Sequence, residues 1–258
     1  METVKLDVQG GIATLTIARP KALNAVDQTV VNEVTQVARE LANNAELRVL
    51  IVTGEGDKAF VAGADIKAMA GMNGIEGERF SAQAHAMIQA IEALPVPVLS
   101  AVNGFCLGGG LELALCADII YASDNAKFGQ PEVNLGVMPG MGGAVRLQRR
   151  IGAQAASELI FTGDTIDAAR ALSLGLVQAV WPLAEMRVQV RAIAEKIASR
   201  GPLAVRACKR VIRAAAEMTI KEGCTLEATA FGLLFTTEDK REGMQAFIEK
   251  RAATFVAR

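Results

Sequence analysis

The chain has 258 residues, 51% hydrophobic and 21% charged, a balance that excludes disorder and requires a sizeable core; aromatics at 4% leave that core to Ala, Val, Leu and Ile. Lys plus Arg number 27 and Asp plus Glu 28, so a net charge of −1 offers no basic field for nucleic acid or an anionic membrane. No apolar run approaches the roughly 20 residues that span a bilayer, and Met1-Glu2-Thr3-Val4-Lys5 carries neither a signal peptide's apolar run nor an Arg-rich presequence, so a soluble cytoplasmic protein is expected.

In chain order, Val4, Leu6 and Val8 alternate, pause at Gly10-Gly11, and resume with Leu15 and Ile17, which predicts a hairpin. Asp27 is placed to cap a helix whose apolar side runs Val30, Val31, Val34, Val37, Ala38, Leu41. Residues 48–53 (RVLIVT) read as a strand buried on both faces. A helix is predicted over 77–93, stopped by Pro95-Val96-Pro97, with a buried strand over 98–102. A helical segment near 110–116 then leads to a strand at 119–122. This alternation of strand and helix to about residue 180 predicts an α/β fold. Beyond it, 183–200, 202–216, 219–235 and 239–256 read as consecutive helices. The division is set at residues 1–195 for an α/β core and 196–258 for a helical module, with no Pro- or Ser-rich linker between them.

Cysteine and histidine usage removes further classes. Cys106, Cys116, Cys208 and Cys224 show no C-x-x-C spacing and have apolar neighbours, so buried reduced thiols are expected. His85 is the single histidine and reads as a half-exposed helix residue, which leaves a Ser-His-Asp or Cys-His system and a zinc site short of groups. Acid–base chemistry would therefore fall to carboxylates.

Glycine clusters follow several strands. Gly54-Glu55-Gly56-Asp57-Lys58-Ala59 matches G-x-G-x-x-A, but the sequence after it is not a long helix, so a plain turn is preferred to a dinucleotide loop. Gly108-Gly109-Gly110 precedes an apolar helix start. There it could present free N–H donors to an anion, or it could simply permit tight helix–sheet packing. Glu112, one turn into that helix, is either an exposed first-turn acid or a buried functional group. Glu132, in Phe128-Gly129-Gln130-Pro131-Glu132, is either a solvated loop residue or the second member of an acid–base pair.

Taken together, several segments closely resemble the enoyl-CoA hydratase (crotonase) family, nearest its short-chain branch. They are Arg19-Pro20-Lys21-Ala22-Leu23-Asn24-Ala25, residues 60–67 (FVAGADIK), residues 102–112 (VNGFCLGGGLE), residues 128–132 (FGQPE), Pro139-Gly140-Met141-Gly142-Gly143 and Phe247-Ile248-Glu249-Lys250-Arg251. The likeness runs over essentially the whole chain. It implies a spiral of ββα turns followed by a helical trimerisation region, and a hexamer built as a dimer of trimers. The close succession of Phe231, Leu233, Leu234 and Phe235 also exceeds what a small helical module easily hides.

By position, the resemblance implies that the N–H groups of Ala64 and Gly109 form an oxyanion hole and that Glu112 and Glu132 are the catalytic pair. Ala22, Leu23, Ala62, Asp65, Ile66, Lys67 and Gly108 would contact acyl-CoA, and Phe247 and Lys250 would reach the CoA of a neighbouring subunit. Leu111 stands where relatives commonly carry a smaller residue or Cys, and Met138 and Met141 fall near the acyl pocket. The implied reaction is reversible addition of water to a trans-2-enoyl-CoA, as in fatty-acid β-oxidation. It uses no metal or redox cofactor, CoA entering as part of the substrate. The competing readings are a Δ3-Δ2 enoyl-CoA isomerase, a dienoyl- or cyclic enoyl-CoA hydratase, and an RNA-binding hydratase-like protein, which the net charge disfavours.

Overall fold

The alternating N-terminal residues form β1 (Val4–Gln9), which pairs antiparallel with β2 (Ile12–Ile17) across Gly10 and Gly11. Both glycines have positive φ, as this turn requires. The computed structural model describes residues 1–258. After the hairpin come α1 (Gln28–Ala42), β3 (Val49–Gly54), β4 (Ala59–Ala62), the short α2 (Ile66–Met69) and α3 (Gly74–Glu92). Next are β5 (Val98–Val102), β6 (Phe105–Leu107) and α4 (Gly109–Leu115), then β7 (Ile119–Ser123), β8 (Lys127–Gly129) and a 3-10 turn over Pro131–Leu135. The chain continues through α5 (Gly143–Ile151), α6 (Ala153–Thr162), β9 (Thr165–Asp167), α7 (Ala168–Ser173) and β10 (Ala179–Trp181). It closes with α8 (Leu183–Ala198), α9 (Pro202–Ala215), α10 (Ile220–Leu234) and α11 (Glu238–Ile248).

The strands sort into two sheets, ordered β1-β2-β3-β5-β7-β10 and β4-β6-β8-β9. Three successive turns of the chain, β3-β4, β5-β6 and β7-β8, each give one strand to the larger sheet and one to the smaller before entering helix. The α/β expectation holds in the form of this ββα spiral. Because successive residues face opposite sides and both sides are covered, the central strands are almost entirely apolar, with Thr53, Ser100 and Ser123 the buried exceptions. Leu50 and Val52 face the main core with Val98 and Val102, whereas Val49 and Ile51 face outward with Leu99 and Ala101. The outward set is covered by Met186, Val190 and Ala194 of α8.

Capping sets the helix starts. Asp27 accepts from Val30 N at 2.9 Å, and the six expected apolar residues of α1 are buried. α3 begins at Gly74, three residues ahead of the predicted start, because Asn73 and Glu76 form a reciprocal capping box. The helical module is tied to the core by α9. Lys209, itself buried, reaches Asp118 at 2.9 Å and the Val96 carbonyl at 2.7 Å, and Arg213 donates to Asp118 at 2.8 Å.

Two expectations are corrected. The last helix ends at Ile248 and not at residue 256, because the tail turns at Lys250 (φ 56°) and runs back along α11. Asp239, buried at the start of α11, accepts there from Val256 N at 2.7 Å and Ala257 N at 3.1 Å. Cys106 and Cys116 are buried as free thiols, but Cys208 on α9 and Cys224 on α10 are exposed, on helix faces that the single chain leaves uncovered. No helix is long and apolar enough to cross a membrane.

Candidate active site

The site grows from the ends of adjacent parallel strands in the smaller sheet. Ala62, last in β4, pairs in register with Leu107, last in β6, and Leu107 pairs with Gly129, last in β8. Ala64 and Gly109 each lie two residues past their strand, and Glu132 three residues past its own. A single parallel bridge frames Ala64: Val26 N donates to Gly63 O and Asp65 N to Val26 O, at 2.9 and 2.8 Å. The Ala64 N–H between them has no acceptor in the chain. Gly109 N, first in α4, has none either, as expected of a helix N-terminus.

The three glycines at this corner have separate uses. Gly108 adopts φ 50°, and a Cβ there would sit 2.8 Å from Glu132 Oε1. A Cβ on Gly109 would meet Met141 Sδ at 3.0 Å and Ala64 N at 3.7 Å, which puts the two free N–H groups side by side. A Cβ on Gly110 would lie 1.9 Å from Val61 O, so this glycine serves helix–sheet packing. The two readings of the triplet are therefore divided among its members.

Glu112 is 1% exposed, far from a solvated first-turn acid. Its Oε1 accepts from Met141 N and Gly143 N, both at 2.7 Å. Burial pushes its carboxyl above the usual range, and the two N–H groups and the Arg146 cation oppose that shift. Glu132 lies half-buried on the 3-10 turn, not in an open loop. Burial chiefly, with a smaller push from the Glu112 charge, raises its pKa to about 7. Gln130 is fully buried beside it; turned with its –NH2 toward the carboxyl, it donates to the two Glu132 oxygens at 2.9 and 3.1 Å. The arrangement holds two carboxyls in unequal environments next to two free N–H donors.

The remaining predicted contacts divide into near and far. Leu23, exposed at φ 50° after a 3-10 turn over Pro20–Ala22, accepts from Ala62 N at 3.0 Å, so Ala22, Leu23 and Ala62 lie together. Asp65 caps α2 and is gripped by Arg19 at 3.1 Å, whose hydrogen bond holds its carboxyl below the usual range. Ile66 and Lys67 follow, exposed on the first turn of that helix. Phe247 and Lys250 stand apart at the end of α11, exposed, and the side-chain hydrogen bonds of residues 238–250 stay within α11, its cap and the tail. Leu111 and Met141 are buried and Met138 is exposed. No group of three His, Cys, Asp or Glu side chains is placed to hold a metal ion.

Three features escaped the sequence reading: the Met141 and Gly143 N–H donors, the Gln130 amide, and the Arg146 guanidinium behind them. The available signal was Gly142-Gly143 at the start of α5, a second glycine-led helix entry.

Comparison with known proteins places the chain in a family. A family model described as enoyl-CoA hydratase/isomerase matches residues 7–258. The crotonyl-CoA hydratase of Syntrophomonas wolfei is 44% identical over 257 residues, covering 100% of this chain and 99% of the relative. The short-chain-enoyl-CoA hydratase of Clostridium acetobutylicum is 45% identical over 251 residues, covering 97% and 96%. The crystal structure of an enoyl-CoA hydratase from Bacillus anthracis superposes with a TM-score of 0.97 at 36% identity, covering both chains fully. With a matching spiral, a matching length and this corner of glycines and carboxyls, the chain belongs to the enoyl-CoA hydratase/isomerase family.

Proposed function

We propose that the protein is an enoyl-CoA hydratase that adds water reversibly across the 2,3 double bond of a short trans-2-enoyl-CoA, giving a (3S)-3-hydroxyacyl-CoA. The observation that carries this reading is the pairing of two acceptor-free N–H groups, Ala64 and Gly109, with two carboxyls of unequal acidity, Glu112 and Glu132. The thioester oxygen accepts from both N–H groups, which stabilise the negative charge that builds on it as C3 is attacked. Glu112 holds the water with its second carboxyl oxygen while Oε1 stays fixed on the turn. Glu132, partly protonated near neutrality, gives its proton to C2. The water oxygen bonds to C3, and the proton it releases returns to the carboxyl pair, so the enzyme is restored.

On this reading Ala22, Leu23, Ala62, Asp65, Ile66, Lys67 and Gly108 border the CoA and thioester. No metal or redox cofactor takes part, CoA arriving with the substrate, and the enzyme works in the cytoplasm. Phe247 and Lys250 serve the CoA of a neighbouring copy within a hexamer, a reading supported by Phe231 at 63%, Phe247 at 85% and Ile248 at 72% exposure in the single chain. The test follows the ultraviolet absorbance of the conjugated thioester with crotonyl-CoA and, separately, its appearance from a 3-enoyl-CoA. Brisk loss with crotonyl-CoA supports hydration. A protein that converts only the 3-enoyl substrate is an isomerase, and the reading falls.

A further inference from the structure

The turn that holds Glu112 is itself held from behind. Arg146, one turn into α5, donates through Nε and Nη2 to the two oxygens of Glu92, both at 2.8 Å, in a bidentate pair with the last residue of α3. Its third donor, Nη1, reaches the Met141 carbonyl at 3.3 Å. Met141 is the residue whose N–H, with that of Gly143, meets Glu112 Oε1. The guanidinium can come this close because Gly142 (φ 107°) lacks a side chain: a Cβ there would fall 1.9 Å from Nη1. Ser81, also on α3, donates to the Gly140 carbonyl and fixes the other side of the turn.

The geometry points to Arg146 and Glu92 as a positioning strut for the hydration site: the pair braces the Met141–Gly143 turn on α3, so that two N–H groups converge on one Glu112 oxygen and a fixed cation lies behind that carboxylate. The inference rests on the assignment of Glu112 made above and extends it to two residues that touch no substrate. Three observations carry it. The fork is bidentate and partly buried, with both side chains near one-fifth exposed, and so is not a loose surface pair. Its third donor lands on the backbone of the residue that holds Glu112. Finally, α3 grips the turn a second time: the Gly140–Met141 peptide accepts from Ser81 at its carbonyl and donates from its N–H to Glu112, so one amide is polarised along its length. The charged groups facing Glu112 are Arg146 from α5 and Glu132 from the 3-10 turn. On α3, His85 Cε1 lies 3.5 Å from where a Gly142 Cβ would be, and Arg213 of α9 comes within 3.9 Å of Glu92.

Arg146→Gln, Arg146→Lys and Glu92→Gln test the strut. Turnover and KM for crotonyl-CoA are measured across pH, and the Glu112 carboxyl is titrated by 13C resonance in selectively labelled protein, assigned with Glu112→Gln. Because misplacement of a catalytic group by about 1 Å can cost about 100-fold, Arg146→Gln should lower kcat by up to about that factor, with KM close to wild type. Losing the cation should also move the acidic limb of kcat/KM and the Glu112 titration to higher pH. Glu92→Gln should lower kcat by less and, because an anion is lost while the cation stays, move the Glu112 titration and the acidic limb to lower pH; Arg146→Lys should recover part of the loss. Wild-type turnover and an unmoved Glu112 titration in folded Arg146→Gln or Glu92→Gln would overturn the strut. So would a loss of thermal stability with no movement of that titration, which is what a purely structural pair gives. If Arg146→Gln does not fold, the other two variants decide. A wild-type protein that hydrates no 2-enoyl-CoA would overturn the hydratase reading, and the carboxyl titration would still judge the strut.

Discussion

Replacing Glu112 with Gln separates charge from shape at the centre of the site. Glu112 Oε1 faces two converging N–H donors at 2.7 Å, so the amide of Gln can settle in only one sense, with its oxygen on Met141 N and Gly143 N. The turn stays as it was, and what changes is the second oxygen, which becomes an –NH2 that cannot accept from water. Loss of a positioned acid or base costs about 100- to 10,000-fold, or about 2.7–5.4 kcal/mol in the barrier. Hydration of crotonyl-CoA should fall by that factor while acyl-CoA affinity, measured by calorimetry, stays near wild type.

Stability should move the opposite way. Burial raises the folded-state pKa of Glu112 above its unfolded value. The stabilisation linked to that shift is therefore complete below the unfolded pKa and is lost as pH rises through the folded pKa. Gln carries no such penalty. The difference in melting temperature, Glu112→Gln minus wild type, should grow in favour of the variant as pH rises above the ordinary carboxylate range. A variant that hydrates at the wild-type rate refutes the two-carboxyl mechanism. A difference in melting temperature that does not change with pH refutes the argument from burial.

Three further outcomes follow from the same geometry. With Glu132 raised to about 7 by burial, it must be protonated to deliver to C2, so the hydration rate should decline as pH climbs through about 7; a pH–rate profile flat from 6 to 8 would count against it. Gly109 is the first residue of α4, where Pro is compatible with a helix, so Gly109→Pro removes one N–H donor and should cut turnover at least about 100-fold with circular dichroism unchanged. Gly110→Ala places a methyl group 1.9 Å from the Val61 carbonyl, and urea denaturation should show destabilisation of at least about 1–3 kcal/mol; an unmoved midpoint would show that the helix can shift freely.

What the sequence revealed depended on whether side-chain pattern or backbone carried the feature. α1 and β3 were legible because burial on one or both faces dictates residue type at fixed spacing, and every apolar position named for α1 is buried. The glycine triplet was legible as a place but not as a set of uses, since packing against Val61 and approach to Glu132 call for the same residue. Glu112 and Glu132 were found by standing out against apolar or turn-forming neighbours. Their immediate partners were not, because a backbone N–H belongs to every residue, and only the fold brings Met141 and Gly143 to Glu112. The C-terminal end was misjudged for a related reason. The polar residues after Ile248 suit a helix locally, but the Asp239 carboxylate draws the tail back by accepting from the Val256 and Ala257 N–H groups. Exposure of Cys208 and Cys224 likewise depends on which helix faces the chain covers for itself.

The register of Ala62 with Leu107 has a consequence for how such a site tolerates mutation. The two free N–H groups sit at equal offsets beyond neighbouring paired strands, so their placement is a matter of backbone: the β4–β6 ladder and the Val26 bridge to Ala64. No single side chain sets that placement. A point substitution can obstruct the pair, as at Gly109, or delete a donor with proline, but a side-chain change elsewhere removes neither N–H. The carboxyls are different, each depending on one residue and its local turn. Over many substitutions the polarising half of the site should therefore outlast the acid–base half, and new acyl-CoA chemistry on this scaffold should arise by exchanging the carboxyls around an unaltered pair of donors.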